Sequence, residues 1–345
     1  MRKSSVAIVV PAFNEAAVIS ESLRSLSKAI KPEHIFVVSD GSSDDTAKLA
    51  RAIVPNVLAL RRNRGKAGAL KKLIDKYQLT DCYHYVFFFD ADTRIGPAFL
   101  HEVKKVIKVS SPALVVGTVK PGRHKAISAY RVYEYGLSHL IFKNAQNAMG
   151  TIAVAPGCAS VYRSDVLAQL NFLGGSLTED LDLTIQIHHK KLGKIIYCPR
   201  ACVTTQDPAN FGDYWKQIMR WNTGFWQNFF THKLYLPSSK INGEFMLLLG
   251  DLLFWAVLLA LSAARPLELL WLYGLALGLA SVLGAAIVIG TGQYWALPYS
   301  PLFGLFQSVN LISTILSFFR AIFGKRQKLG WQKVERYALA DPIAN

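Results

Sequence analysis

Carboxylates stand at the ends of two apolar runs in this sequence. Asp90 and Asp92, separated by one alanine, follow the run at residues 83–89, and Asp40 follows the run at residues 35–38. Carboxylate, phosphate and water oxygens are the ligands that Mg²⁺ and Mn²⁺ prefer. The pair therefore predicts a site for Mg²⁺ or Mn²⁺, which would act as a Lewis acid on a departing diphosphate. Asp40 is predicted to hydrogen-bond a base or a ribose.

A basic loop follows a third apolar run and opens a predicted helix at residues 65–77. Lys66, with Arg62 or Arg64, is placed to meet phosphate oxygens, because a helix N-terminus favours anions. Each group alone has a plainer explanation, since an aspartate at a strand end is often a turn former or a helix cap. Their joint occurrence is what favours a functional site.

The elements that must position these groups alternate along the first part of the chain. Short apolar runs predict buried strands at residues 6–10, 35–38, 57–60, 83–89 and 113–119. Strands that alternate with helical segments indicate an α/β fold with a mostly parallel sheet. In such a sheet, ligands bind at the carboxyl ends of the strands. Polar loops would therefore converge on one cleft, formed by Asn14-Glu15, Asp40, residues 63–66, and Asp90 with Asp92.

The last third of the chain has a different composition. Residues 245–323 are nearly free of charge and contain three apolar segments, at 245–263, 267–289 and 302–323. Each is close to the ~20 residues that cross a hydrocarbon core. The third is the weakest span, because it carries Gln307, Asn310 and several hydroxyl residues. The tail that follows is basic.

Positive charge beside membrane helices favours the cytoplasmic side. The basic tail, residues 324–345, and the domain at residues 1–240 are therefore both expected in the cytoplasm, which predicts an integral membrane protein. That domain includes an amphipathic interface helix at about 211–232, and residues 241–323 form transmembrane or interfacial helices. We expect a hairpin of the first two apolar segments with the third interfacial or re-entrant. Three crossings remain open if the first segment lies flat.

The net charge of the chain is +16 over 345 residues. The basic residues neither cluster on one helix nor interleave with a recognition motif, which argues against a nucleic-acid partner. Positive charge instead suits a surface beside anionic membrane lipid and a phosphate-rich substrate.

Seven stretches of the sequence, in this order, resemble family 2 inverting glycosyltransferases, in particular the membrane polysaccharide synthases related to cellulose, chitin, hyaluronan and poly-N-acetylglucosamine synthases. The last stretch fits the QxxRW pattern of that family and follows DxD and TED as it does there. The stretches are PAFNE (11–15), DGSSDDT (40–46), NRGKAGAL (63–70), DADT (90–93), PGCASVYR (156–163), TED (178–180) and QIMRW (217–221). The resemblance implies a GT-A type fold and metal-assisted transfer from a UDP-sugar.

The resemblance also implies roles for the matched positions. Asp40 would bind the nucleoside, Asp90 the nucleotide and Asp92 the metal, and Asp180 would be the base on the acceptor hydroxyl. A single base suffices chemically, because the leaving diphosphate is already charged. The other positions implied on the nucleotide-sugar side are Ala12, Glu15, Lys66, Gln217 and Arg220. Those on the acceptor side are Gly157, Glu179 and Trp221, while Trp215 and Trp226 are expected at the membrane interface.

One departure from these relatives sets the remaining expectations. Many of the synthases carry membrane helices before the catalytic domain, and we expect none here. The acceptor is then a growing glycan or a lipid-linked molecule, with a homo-oligomer or a partner membrane subunit providing any export route. Two alternatives remain open. They are a single-sugar transferase that acts on a lipid-linked acceptor, and a non-catalytic membrane protein that binds a nucleotide-sugar.

Overall fold

The computed structural model describes residues 4–122, 125–172, 175–262, 265–323 and 337. Within them lies an eight-stranded sheet with the order β3-β2-β1-β4-β7-β6-β8-β5. The strands are β1 (Ser4–Ala12), β2 (Ile35–Asp40), β3 (Asn56–Leu60), β4 (Tyr83–Phe88), β5 (Thr93–Ile95), β6 (Leu114–Pro121), β7 (Ser160–Arg163) and β8 (Ile195–Thr205).

Helices connect these strands and continue beyond them. Before β8 they are α1 (Ile19–Ser27), α2 (Thr46–Arg51), α3 (Gly65–Lys76), α4 (Leu79–Cys82), α5 (Phe99–Ser110), α6 (Ala126–Gly136), α7 (Lys143–Met149), α8 (Ser164–Leu167) and α9 (Glu179–His189). A π-helical turn, Leu137–Phe142, joins α6 to α7. After β8 follow α10 (Phe211–Thr231), α11 (Lys240–Ser262), α12 (Pro266–Gly290) and α13 (Phe303–Phe323).

The half of the sheet that carries the predicted loops is parallel. β1 pairs with both β2 and β4, and β2 pairs with β3, all in parallel. β7 runs antiparallel between β4 and β6, and β5 runs antiparallel beside β8. The predicted α/β fold with a mostly parallel sheet is confirmed. β5, β7 and β8 lie where the sequence pattern predicted no strand.

Alternating side chains of β1 divide the core into two layers. Ile8 and Val10 pack with Leu23 and its neighbours in α1 on one face of the sheet. Val9 packs with Leu70 and its neighbours in α3 on the other face. Successive residues of a strand point to opposite faces, so a fully apolar run is buried on both sides. This packing fixes the strand ends that carry the polar loops.

The C-terminal helices contact the α/β part through α6 and α10. Asn222 Nδ2 donates to Ser313 Oγ at 3.0 Å, and Trp226 Nε1 donates to Thr314 O at 3.0 Å. Polar residues of the third apolar segment thus bind protein groups. Trp226 is only 2% exposed and packs in a cluster that includes Phe245 of α11. The expectation that Trp226 lies at the membrane interface is therefore wrong.

Two stretches within the described residues are long and apolar enough to cross a membrane, Leu270–Gly290 and Tyr294–Phe323. Of the most apolar window in each, 17% and 22% is buried inside the protein. Most of each window is therefore at least partly exposed, and each stretch is long enough to cross a bilayer. The number of crossings and the orientation stay predictions, and the predicted basic tail, residues 324–345, lies outside the described residues except for Tyr337.

Candidate active site

Lys66, in the first turn of α3, joins two of the predicted loops. Its Nζ lies 2.7 Å from Asp90 Oδ1 and 3.0 Å from Glu179 Oε1. Burial alone would lower the pKa of Lys66, but the carboxylates of Asp90, Glu179 and Asp180 hold that pKa well above its usual value. Lys66 therefore stays a cation.

Asp180, the predicted base, accepts two main-chain hydrogen bonds. Gly157 N–H donates to its Oδ2 at 3.2 Å, and Leu181 N–H donates to its Oδ1 at 2.9 Å. Burial and the neighbouring Glu179 raise the pKa of Asp180 to about 6, against the opposing effects of Lys66 and Arg220. A carboxylate whose pKa lies near neutrality is suited to accept a proton from a hydroxyl group.

Gly157 lies against this cluster so closely that no side chain fits without a shift. A Cβ at this position would lie 2.7 Å from Lys66 Nζ and 3.5 Å from Glu179 Oε1. The absence of a side chain at residue 157 is therefore what allows the main chain of the PGC turn to reach Asp180 and Lys66 together. The sequence pattern singled out Gly157 without this reason.

Asp40 closes the end of β2 against the basic loop. Its Oδ1 accepts a hydrogen bond from Arg64 N–H at 2.8 Å. The next residue, Gly41, has a φ of +71°, and a Cβ there would lie 2.7 Å from Asn63 N. Only glycine adopts this conformation without strain and allows so close an approach. Asp40 is fully buried, whereas the side chain of Arg62 is exposed at the rim.

The PAFNE loop is held by the loop after β2. Glu15 N–H donates to Thr46 Oγ1 at 2.8 Å, and Asn14 Oδ1 accepts from Ser43 N–H at 2.8 Å. Ala12 is fully buried, and only 3% of the surface of Glu15 is exposed. These hydrogen bonds join the first two loops directly.

Asp92 is the predicted metal ligand, and its carboxylate is fixed by two hydroxyl groups. Thr93 Oγ1 donates to Asp92 Oδ1 at 3.2 Å, and Thr205 Oγ1 donates to it at 3.4 Å. No group of three or more histidine, cysteine or acidic side chains in the described part of the chain is arranged to hold a metal alone. Mg²⁺ at nucleotide sites typically uses one or two carboxylates together with phosphates and water. Asp92 beside Asp90 fits a cation of that kind.

Of the QIMRW residues of α10, two contact the side chain of Arg131 and one lies near Asp180. Gln217 Oε1 accepts a hydrogen bond from Arg131 Nη2 at 2.5 Å, and the Trp221 ring lies 4.6 Å from the Arg131 guanidinium carbon. Arg220 is near enough to Asp180 to lower its pKa. Gln217 and Trp221 share one helix face because they are four residues apart. The structure thus brings Arg220 to the predicted base and the other two to Arg131.

Sequence reasoning missed two buried cations beside this site. Arg131 is fully buried, and Lys143 is 5% exposed with its Nζ donating to Val154 O at 2.7 Å. Burial lowers the pKa of Lys143 to about 8, although the nearby Asp180 opposes this effect. The signal that could have found them is a basic residue within or beside an otherwise apolar, aromatic helical stretch, since buried charges are rare unless paired.

The sequence matches the model of the glycosyltransferase-like family 2 over residues 3–224. That range covers more than half of the chain and includes every motif residue described above. The chain belongs to this family. It is a glycosyltransferase, as the motifs predicted.

This glycosyltransferase is similar to two curated relatives. The poly-β-1,6-N-acetyl-D-glucosamine synthase of Staphylococcus epidermidis is 28% identical over 251 residues, which cover 67% of this chain and 59% of the relative. The synthase of the same name from Staphylococcus aureus (strain COL) is 26% identical over 231 residues, covering 64% of this chain and 54% of the relative. The chain therefore matches less than two thirds of the length of either relative.

A solved structure shows the fold. The mannosyltransferase PcManGT from Pyrobaculum calidifontis, in complex with GDP-mannose and Mn²⁺, superposes with a TM-score of 0.61 at 18% sequence identity. The superposition covers 94% of this glycosyltransferase and 89% of that chain. The expected GT-A type fold is confirmed.

Proposed function

We propose that this glycosyltransferase is an inverting enzyme that transfers a sugar from a UDP-sugar to a growing glycan at the cytoplasmic face of a membrane. One observation carries the proposal: Asp180 combines a raised pKa with two main-chain hydrogen bonds, next to the cations Lys66 and Arg220. The relatives named as polysaccharide synthases support a glycan product. The two long apolar stretches support a membrane location.

The proposed reaction uses the carboxylate and the cations for different parts of the substrate. Asp180 takes the proton of the acceptor hydroxyl while the oxygen of that hydroxyl bonds to the anomeric carbon. The bond from this carbon to the diphosphate oxygen breaks, and its electron pair leaves with UDP. Attack from the face opposite the diphosphate inverts the anomeric centre. A second carboxylic acid, as hydrolases use, is unnecessary because the leaving group is charged.

Lys66 and Arg220 provide positive charge where the leaving diphosphate gains negative charge. Such preorganised groups stabilise a transition state because they need no rearrangement as the charge develops. Asp92, with Asp90 beside it, would hold Mg²⁺ or Mn²⁺, which when bound supplies further positive charge to the diphosphate. Asp40 and the main chain at Ala12 and Glu15 would receive the nucleoside.

Substitution of the base tests the proposal. We expect Asp180→Asn to lower the rate of UDP release by about a hundredfold or more, because general-base catalysis contributes that much. UDP affinity, measured by calorimetry, should change little. The matched control is Asp165→Asn, because Asp165 is an exposed aspartate whose side chain forms an ion pair with Arg163. Full activity in Asp180→Asn would exclude this residue as the base.

Product length separates the alternatives. A panel of UDP-sugars with Mn²⁺ or Mg²⁺ is followed by UDP release, and the products are resolved on a gel. A ladder or a polymer supports glycan extension, whereas a single added sugar on a lipid-linked acceptor supports the single-sugar transferase. UDP-sugar binding without metal-dependent release of UDP would identify a non-catalytic binding protein.

A further inference from the structure

A fully buried arginine lies where α6, α10 and α13 meet. Arg131 of α6 forms an ion pair with Glu134 one turn along the same helix. It also donates a hydrogen bond of 2.5 Å to Gln217 Oε1 of α10. The guanidinium carbon lies 4.6 Å from the centre of the Trp221 ring and 5.0 Å from that of the Tyr214 ring. One side chain thus contacts two of the three motif residues of α10.

This arrangement is specific to the guanidinium group. A planar guanidinium donates in several directions at once and stacks on aromatic faces, whereas an ammonium does neither in the same geometry. Removing a charge from water costs several kcal/mol unless the charge is paired and hydrogen-bonded. The Glu134 carboxylate, the Gln217 amide and the two rings offset that cost for Arg131.

We propose that Arg131 is a positioning residue, which fixes the side chains of Gln217 and Trp221 for the donor and the acceptor. This inference rests on the proposed function, in which those two residues contact the substrates. Arg131 has no exposed surface, so it cannot touch a substrate itself. It orients the amide of Gln217 through a hydrogen bond, and it fixes the ring of Trp221 by stacking its guanidinium group on that ring.

The same junction includes a residue of the C-terminal apolar helices. Asn310 of α13 donates to Glu134 Oε1 at 3.0 Å and to the hydroxyl of Tyr130 at 2.9 Å. Glu134 is therefore bound on one side by Arg131 and on the other by α13. The position of a helix long enough to cross a membrane is linked in this way to the predicted substrate-binding face of α10.

A double-mutant cycle tests the inference in the full chain, reconstituted in detergent or lipid nanodiscs. The variants are Arg131→Lys, Gln217→Ala and their combination, with UDP release measured over a range of UDP-sugar concentrations. A hydrogen bond to a charged group contributes about 1.5–3 kcal/mol, so each single variant should lower kcat/KM for the donor by roughly tenfold to a hundredfold. The combined variant should lose little more than the worse single variant, because both remove the same interaction.

The kinetic constants separate positioning from general damage to the fold. We expect the loss to appear mainly as a higher KM for the UDP-sugar, since a misplaced diphosphate-binding group weakens binding. A merely structural defect would reduce the active fraction, which lowers kcat at an unchanged KM. The matched control is Arg163→Lys, because Arg163 pairs with Asp165 outside the site. This control should keep the kinetics of the unaltered chain.

A second variant covers the case in which Arg131→Lys does not fold. Glu134→Gln keeps Arg131 but removes its countercharge, and its cycle with Gln217→Ala should show the same coupling. Independent effects that multiply in the combined variant would overturn the positioning role. If the unaltered chain binds UDP without turnover, the proposed function fails, and the same cycle read by UDP affinity still tests the positioning of Gln217. If it binds no UDP, both proposals are refuted.

Discussion

The substitution Gly157→Ala perturbs the cleft by a single methyl group. The added Cβ would lie 2.7 Å from Lys66 Nζ, whereas ordinary contacts of a Cβ begin at 3.4 Å. The ammonium must therefore retreat by the difference, about 0.7 Å. Its present distances to Asp90 and Glu179 are 2.7 and 3.0 Å. We expect this retreat to stretch at least one of the two contacts beyond the ~3.2 Å limit of a good hydrogen bond.

The cost follows from the strength of charge-assisted hydrogen bonds. The loss of one such bond should raise the activation free energy by about 1.5–3 kcal/mol, so kcat/KM should fall by roughly tenfold to a hundredfold. The fold should be unaffected, because the obstructing atom is the flexible end of a lysine side chain and residue 157 has no left-handed backbone to strain. We expect Tm to fall by less than about 2 °C. Initial rates of UDP release and a thermal melt measure both quantities.

Two further variants make this prediction specific. In Gly243→Ala the new Cβ meets nothing within 4 Å, so the rate should be unchanged. In a Lys66→Ala background, Gly157→Ala should cause no additional loss, since the group that it displaces is gone. Equal losses with and without Lys66, or unaltered kinetics in Gly157→Ala, would refute the reasoning.

Three other predictions follow from the site and the surface. Because the base must be deprotonated and its pKa is raised to about 6, kcat/KM should be constant above that pH and fall about tenfold per unit below it, in a pH profile; a flat profile down to pH 5 would contradict the role of Asp180. Asp92→Asn should raise the concentration of Mn²⁺ needed for half-maximal rate by about tenfold or more, because one charged ligand becomes neutral. An unchanged Mn²⁺ titration would show that Asp92 is not a metal ligand. Cys82 is exposed on the α/β part, so a membrane-impermeant maleimide should label it in lysed cells but not in intact cells. Labelling in intact cells would contradict the proposed cytoplasmic location of this part.

Several parts of the fold could be read from local pattern. The five strands predicted from apolar runs correspond to β1, β2, β3, β4 and β6. They were predictable because a strand buried on both faces needs a continuous apolar run. β5 and β7 have only 3 and 4 residues, which are too few to show a period. In β8 the apolar sequence pattern is interrupted by Pro199 and Arg200. Their placement depends on pairing with strands that are distant in sequence, antiparallel for β5 with β8 and for β7 with β4, and parallel for β8 with β6.

The candidate site divides in the same way. By itself the sequence determined which side chains are available for chemistry, because strand ends in a parallel sheet share one edge and a helix places Gln217 and Trp221 on one face. Only the tertiary structure decided which groups meet. It paired Lys66 with Glu179, placed the main chain of residue 157 against that pair, and brought Arg131 to Gln217 across 86 residues of sequence. Such contacts arise from the packing of whole elements against each other, which local periodicity does not encode.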